Sequence, residues 1–360
     1  MNIAFFGWVK ACDPMRVGGC ESVIRRLAVA LSRQGHTVAV VMYGADRTHA
    51  ADDFFGDGVI LKYHRFFAGA LRELDHLKYD VVVDAYLHKR YHAIYLAFKS
   101  WNRKKTKFFA IFMAENSNSV KHWLSNTFRP MFCRTVFAVS PSYARRLQDC
   151  GVRAVWLPPP VPDCYFTFPR RVSGRKNVVV SFLGRIDPNK GLYELSSAFE
   201  ALSRESHFSL RIRGYYVPED SESVKLHTKL QRLAGVDYSA EPHCSHLYEP
   251  SNEREVLRYL SETDILTLPY RNLRGTLQLP LLVLEGLAAG CIVMSRDVGD
   301  IAQFIGCKNL IIHDSDDLRK NVEGFSTLEA VEAKRAKIDK SALYSTFALT
   351  KVVDRLVSYL

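Results

Sequence analysis

Two cations flank a short turn in the segment 184–191, which reads Gly-Arg-Ile-Asp-Pro-Asn-Lys-Gly. Gly184 lets the chain turn, and Arg185 and Lys190 carry charges that can converge on a diphosphate. An apolar strand precedes the segment and a helix follows it, so the turn lies where open parallel sheets bind ligands. The pattern predicts a diphosphate site; a loop with two solvated cations is the alternative reading.

A glutamate interrupts an otherwise apolar helical start in the segment 280–290, Pro-Leu-Leu-Val-Leu-Glu-Gly-Leu-Ala-Ala-Gly. An ionised carboxylate is costly to bury without hydrogen-bond donors. The hydroxyl groups of a ribose are suitable donors, so Glu285 is a candidate ligand for a nucleoside. An ordinary exposed or capping glutamate remains the alternative.

A third signal is the glycine loop Gly18-Gly19, which stands between the first apolar run and the first amphipathic stretch. Such a loop lets backbone N–H groups approach a phosphate closely. It does not match Gly-x-Gly-x-x-Gly, and no acidic residue ends the second strand, which argues against a dinucleotide site.

These segments need a parallel sheet to position them, and the alternation of short apolar runs with helical stretches predicts one in each half of the chain. An amphipathic helix is predicted from Glu21 to Gln34, with Arg25, Arg26 and Arg33 on the side away from its apolar residues. The predicted strands are Ile3–Val9, Thr37–Met42, Tyr79–Ala85, Phe108–Met113 and Thr135–Val139 in the first half, and Asn177–Leu183, Ser209–Arg213, Ile265–Leu268, Cys291–Ser295 and Leu310–His313 in the second.

The run of prolines at 158–162 excludes helix and central strand, so the interdomain linker is placed there. We predict an N-terminal domain over residues 1–168 and a C-terminal domain over 169–342. A last helical segment, 343–360, is a candidate to pack back on the first domain. The fold class is α/β, with two Rossmann-like, doubly wound domains.

Charge is distributed unequally over the 360 residues, whose net charge is +11. Residues 1–168 hold 23 Lys and Arg against 13 Asp and Glu, whereas residues 169–360 hold 26 against 25. The N-terminal domain is therefore expected to meet something anionic. No zinc-finger spacing, RNA-binding aromatic signature or helix-turn-helix accompanies the charge, so nucleic acid is not a predicted partner.

No apolar run approaches the length of a membrane span, and the first, Ile3–Val9, is short enough to be a buried strand. The expected location is cytoplasmic, with a peripheral position on the cytoplasmic membrane face as a further hypothesis. That hypothesis rests on the run 99–107, which has five cations around Trp101. Cations near anionic lipid and an interfacial tryptophan favour membrane binding.

Taken in order, the glycine pair, the Gly-Arg-x-x-x-x-Lys-Gly segment and the glutamate helix ending Ala-Ala-Gly resemble the retaining GT-B glycosyltransferases of family 4 (glycosyl transferases group 1). The segment 138–142, Ala-Val-Ser-Pro-Ser, also resembles the family's sequence near the end of its first domain. The resemblance covers almost the whole chain and implies two domains that face a central cleft. It implies transfer of a sugar, of hexosyl type and with retention, from a nucleotide diphosphate sugar to an acceptor.

The resemblance also implies roles at matching positions. Arg185 and Lys190 would hold the donor diphosphate, Glu285 the ribose, and the amides of Leu281 and Leu282 the leaving phosphate. Gly18 and Gly19 would close the donor site from the other domain. Neither a metal nor a cofactor is implied, because cations and helix amides stabilise the departing diphosphate.

The sequence departs from the family's pattern in two places. Leu277 stands where many members carry a first glutamate that contacts the sugar, so Thr276 or Gln278 becomes the candidate for sugar recognition. On the acceptor side, Ala-Glu replaces a frequent histidine, which leaves Glu115 and His88 as candidate catalytic groups at strand ends. A dedicated base is optional, because the leaving phosphate can itself help to deprotonate the acceptor.

Two other functions stay open from the sequence. A sugar-nucleotide epimerase or a phosphorylase on the same scaffold would share the phosphate site. A non-catalytic partner subunit would account for the missing glutamate and histidine, although the intact cations and Glu285 argue against it. The expected partners are a nucleotide sugar and a glycan or lipid-linked acceptor, with an anionic membrane surface as a further candidate.

Overall fold

The computed structural model describes residues 1–46, 48–51, 57–76, 78–85, 107–112, 134–171, 174–243, 250–274, 276–306 and 310–360. Its contacts divide the chain into two compact units. One comprises residues 1–162 with 346–360, and the other begins at residue 163 and ends at residue 345. In the part that the structure describes, no helix is both long and apolar enough to cross a bilayer.

The first unit is built on an eight-stranded sheet in the order β3-β4-β2-β1-β5-β6-β7-β8. All neighbouring strands pair in parallel except β3, which runs antiparallel to β4. The strands are β1 (Asn2–Trp8), β2 (Thr37–Tyr43), β3 (His49–Ala51), β4 (Val59–His64), β5 (Val81–Asp84), β6 (Lys107–Phe112), β7 (Thr135–Ala138) and β8 (Ala154–Trp156).

Helices cover this sheet, and the apolar residues of β1, β2, β5 and β7 form its core. The helices are α1 (Val9–Cys12), α2 (Gly19–Arg33), α3 (Phe67–His76) and α4 (Pro141–Asp149). Helix α4 begins where the Ser140 side chain accepts a hydrogen bond from the Tyr143 amide, with Pro141 at its first position.

The second unit has five parallel strands in the order β11-β10-β9-β12-β13. They are β9 (Val178–Ile186), β10 (Phe208–Tyr216), β11 (Val236–Pro242), β12 (Ile265–Leu268) and β13 (Ile292–Ser295). Strands β10 and β11 lie on one side of β9, and the chain then returns so that β12 and β13 lie on the other side of β9. The carboxyl ends of β9 and β12 therefore form the switch point at which such sheets bind ligands.

Helices alternate with strands from β9 to β13, as expected for a doubly wound domain, and in the part of this unit that the structure describes one helix precedes β9 and four follow β13. They are α5 (Cys164–Thr167), α6 (Leu192–Leu202), α7 (Ser221–Gln231), α8 (Pro250–Ser261), α9 (Leu281–Ala288), α10 (Ile301–Ile305), α11 (Ser315–Glu323), α12 (Leu328–Arg335) and α13 (Lys340–Phe347). Two parallel, helix-covered sheets confirm the predicted α/β class.

Two predicted elements were wrong. The segment 310–313 forms only a single parallel bridge, between Ile311 and Ser295, because Asp314 then caps helix α11 by accepting from the Asp317 amide. The predicted helical segment 343–360 is interrupted at Ala348, whose backbone is extended and pairs with Val161. The chain continues as α14 (Leu349–Val357), which packs on α2 within the first unit.

The solvent-facing placement of Arg25 and Arg26 on α2 was also wrong, because both are about 95% buried (5% and 6% exposed). Arg25 donates to the carbonyls of Pro14 and Arg16 and to the Ser22 hydroxyl. Arg26 donates to the Pro160 carbonyl at 2.9 Å. Both guanidinium groups are buried because they satisfy carbonyls of irregular chain segments.

Candidate donor site

The turn after β9 is held by its own side chains. The Asp187 carboxylate accepts from the backbone and side-chain N–H groups of Asn189, at 2.8 and 3.0 Å, and caps a short 3-10 turn over Pro188–Lys190. Gly191 ends that turn with φ 73° and begins α6. Lys190 therefore lies between a strand and a helix on a turn whose backbone is fixed.

The two predicted diphosphate ligands are Arg185, near the end of β9, and Lys190, on the turn, and they differ in their partners. The Arg185 guanidinium pairs with Asp187 at 2.6 Å. The Lys190 side chain is 8% exposed, its ammonium donates to the Thr276 hydroxyl, and it lies 4.6 Å from the centre of the Tyr270 ring. Burial, and next the charge of Arg185, lower the pKa of Lys190 to about 8, and Asp187 opposes that shift.

Glu285 lies on α9 and is 4% exposed. Helix α9 begins after Pro280, which contributes no capping side chain, so the amides of Leu281 and Leu282 occupy the first turn of the helix. The Leu282 side chain is 3.7 Å from the point at which a Cβ on Gly184 would stand. The amino end of α9 is thus adjacent to the end of β9.

Tyr270 lies beside Lys190, and sequence reasoning missed it. Its ring faces Lys190, while burial, and next the negative charge of Glu285, raise the pKa of its phenol. Tyr270 directly follows Pro269 after β12, at the switch point of the sheet. The rule that ligands lie at the carboxyl ends of strands would have directed attention to it.

The candidates for sugar recognition lie on the loop between β12 and α9. Thr276 accepts from Lys190, and the Gln278 carbonyl accepts from the Asp300 amide at 3.2 Å. Leu277, in the position of the absent first glutamate, is 1% exposed and belongs to the apolar core. Among the residues implied for the donor in this unit, the structure places Gly184 next to Leu282 and Lys190 next to Thr276. Glu285 lies on the same helix as Leu282, and Arg185 follows Gly184 on β9.

The remaining predicted site residues belong to the first unit. Gly18 precedes α2, and the Glu21 carboxylate folds back so that a Cβ on Gly18 would stand 2.2 Å from its Oε2 atom. The part of Gly18 and Gly19 in donor binding stays a prediction. His88, Glu115 and residues 99–106 of the basic run lie outside the described residues. Lys107, the last cation of that run, donates to the Leu360 carbonyl.

Binding of a nucleoside diphosphate should depend on pH through Lys190. The ammonium is charged below about pH 8 and neutral above it, and a bound diphosphate stabilises the charged form. We expect the affinity to fall about tenfold between pH 7 and pH 9, with proton uptake on binding. Calorimetry in buffers of different ionisation enthalpy measures both effects.

Lys190→Arg is the matched control, because its guanidinium stays charged throughout this range. The affinity of this variant for the nucleoside diphosphate should be the same at pH 7 and pH 9, even if it differs from that of the unaltered chain. A wild-type affinity that is constant from pH 7 to pH 9 would show that the Lys190 ammonium does not bind the diphosphate.

Two family models match the chain. The model described as Glycosyltransferase Family 4 matches residues 17–163, and the model described as Glycosyl transferases group 1 matches residues 177–327. No curated protein sequence matches the chain. One model matches most of the first unit and the other most of the second, and neither matches residues 164–176.

Solved structures share the fold over its full length. Sucrose-phosphate synthase from Thermosynechococcus elongatus has a TM-score of 0.73 at 14% identity, covering 99% of this chain and 98% of its own. The apo form of the lipopolysaccharide outer core galactosyltransferase WaaB has a TM-score of 0.61 at 14% identity, with 100% and 99% covered. An α,α-trehalose-phosphate synthase (UDP-forming) from Burkholderia vietnamiensis has a TM-score of 0.65 at 13% identity, with 99% covered on both sides.

Proposed function

Because the chain belongs to the retaining GT-B glycosyltransferases of family 4, group 1, we propose that Arg185, Lys190 and Glu285 hold its nucleotide diphosphate sugar. Family membership makes the chain an enzyme of the metal-independent, hexosyl-transferring type with a nucleotide-sugar donor. The observation that carries the residue assignment is the position of Tyr270. The buried Lys190 ammonium lies 4.6 Å from the centre of its ring at the switch point of the sheet, and burial, and next the negative charge of Glu285, raise the pKa of its phenol.

The proposed chemistry follows from where charge develops. As the bond between the sugar and the diphosphate breaks, negative charge grows on the leaving phosphate. The Arg185 and Lys190 cations and the first amides of α9, at Leu281 and Leu282, are suited to stabilise that charge. Glu285 would accept from the ribose hydroxyls, and Thr276 or Gln278 would contact the sugar.

For the acceptor, we propose a glycan that is lipid-linked or cell-surface bound. The supporting observation is the excess of cations in residues 1–168, where 23 Lys and Arg stand against 13 Asp and Glu. Such an excess favours an anionic acceptor or an anionic lipid surface around it. His88 and Glu115 remain the proposed acceptor-side groups.

A two-stage assay tests this function. Nucleoside diphosphate sugars are first screened for their effect on Tm, and the stabilising donor is then incubated with glycolipid and with soluble glycan acceptors. The proposal expects nucleoside diphosphate release that depends on an acceptor and is larger with a glycolipid. Conversion of the donor without an acceptor would favour an epimerase, and equal release with soluble glycans would reject the lipid-linked acceptor.

Glu285→Gln should weaken nucleoside diphosphate binding about tenfold, because a neutral amide oxygen accepts less strongly from ribose hydroxyls than a carboxylate does. Isothermal titration calorimetry measures the change. Glu329→Gln, at an exposed position on α12, is the matched control and should bind as the unaltered chain does. Equal affinity in both variants would return Glu285 to a structural role.

A further inference from the structure

The backbone at Tyr270 is held by contacts with β12 and with the turn that carries Lys190. Tyr270 is 3% exposed, and its amide donates to the Leu268 carbonyl at 2.8 Å. The carbonyl of Pro269, the residue before it, closely approaches Gly191 at the start of α6. The backbone that carries the ring is thus held between the carboxyl end of β12 and the turn that carries Lys190.

Lys190 has an unusual set of partners for a buried ammonium. The nearby carboxylate, Asp187, pairs with Arg185 at 2.6 Å, and no carboxylate of the described residues forms an ion pair with Lys190. What the ammonium has instead is the Thr276 hydroxyl and the face of the Tyr270 ring, 4.6 Å from the ring centre. A ring face attracts a cation without neutralising it.

We infer that Tyr270 is a positioning residue for the donor: its ring face takes the place of a carboxylate beside Lys190 and leaves the positive charge available to the diphosphate. A carboxylate in that place would compete with the phosphates for the ammonium, whereas the ring is uncharged. This inference rests on the proposed role of Lys190 in donor binding.

The charged groups around Lys190 agree with this role. Arg185 on β9 lowers the pKa of the ammonium and Asp187 raises it, while burial has the largest effect. Burial and the charge of Glu285 on α9 raise the pKa of Tyr270, so its phenol stays neutral at working pH. Removing the ring should therefore lower the pKa of Lys190 below its value of about 8.

The test compares Tyr270→Phe, which keeps the ring, with Tyr270→Leu, which removes it. The donor screen decides whether UDP or GDP is the ligand. The affinity of each variant for that ligand is then measured by calorimetry from pH 6.5 to pH 9. We expect Tyr270→Phe to bind within about twofold of the unaltered chain, and Tyr270→Leu to bind about tenfold more weakly with its pH midpoint shifted down. A merely structural role would not move that midpoint.

Because Tyr270→Leu creates space in a buried region, a second series keeps the shape of the ring. Mono-, di- and trifluorinated phenylalanine at position 270 progressively weaken the negative ring face while leaving its size nearly unchanged. The affinity should fall stepwise along this series in the unaltered Lys190 background. In Lys190→Ala, the same series should have no effect, as a double-mutant cycle requires for direct coupling.

The failures of the two proposals are distinguishable. Undiminished binding of the diphosphate to Lys190→Ala overturns the role of Lys190 itself. Weak binding to Lys190→Ala together with a flat fluorination series overturns only the role of Tyr270. A stepwise loss that persists in Lys190→Ala also overturns it, because the ring would then act through another group.

Discussion

Lys190→Ala should lower kcat/KM for the nucleotide sugar about 10- to 100-fold. The substitution removes a charge-assisted contact to the departing diphosphate, which is worth about 1.5–3 kcal/mol. The ammonium has no ion-pair partner among the described residues, so its loss leaves no unpaired buried carboxylate, and Tm should change little. Steady-state kinetics with the donor identified by screening measures the effect.

The matched control is Lys176→Ala, which removes an exposed lysine just before the amino end of β9, the strand that precedes Lys190. It should retain full turnover. Arg185→Ala should resemble Lys190→Ala in kcat/KM, although it also frees Asp187 from its ion pair at 2.6 Å. Full turnover in both Arg185→Ala and Lys190→Ala would overturn the diphosphate assignment.

The donor turn could be predicted from sequence because its determinants are local. Gly184, the two cations and Gly191 lie within eight consecutive residues. The predicted turn at Gly184 was wrong, because β9 continues to Ile186 and includes Gly184 and Arg185; only Lys190 and Gly191 lie between β9 and α6. The alternation of strands and helices likewise predicted the sheets, since each strand is an apolar run bounded by turns. Local order along the chain was enough for the fold class.

Contacts between distant segments could not be predicted in this way. The break at Ala348 exists because Val161, far away in the sequence, pairs with its backbone. Arg25 looked like a solvent-facing helix residue, but the carbonyls that bury it belong to the irregular loop before the helix. Periodicity shows which face of a helix is apolar, but not which carbonyls remain to be satisfied around it.

Tyr270 illustrates the same limit within the site. One sequence signal, its place two residues after β12, could have identified it, but its contact with Lys190 joins residues that follow two different strands. Glu285 affects the pKa of the same phenol from a third element, α9. The motif residues could be predicted from their spacing in the sequence. The position of Tyr270 beside Lys190 depends on the pairing of β9 with β12, which the spacing does not show.

Gly191→Ala should be the most destabilising single substitution in the donor turn. Gly191 has φ 73°, and a Cβ on it would stand 1.8 Å from the Pro269 carbonyl oxygen, which is backbone and not free to move aside. We expect the free energy of unfolding to fall by more than about 4 kcal/mol, with loss of nucleoside diphosphate binding. Gly306→Ala is the matched control, since Gly306 has φ 67° but no described residue has an atom within 4 Å of the added Cβ. Its free energy of unfolding should fall by only about 1–2 kcal/mol, from backbone conformation alone. Differential scanning calorimetry compares the two variants, and an equal loss of Tm in both would show that the close approach of Pro269 does not constrain the turn.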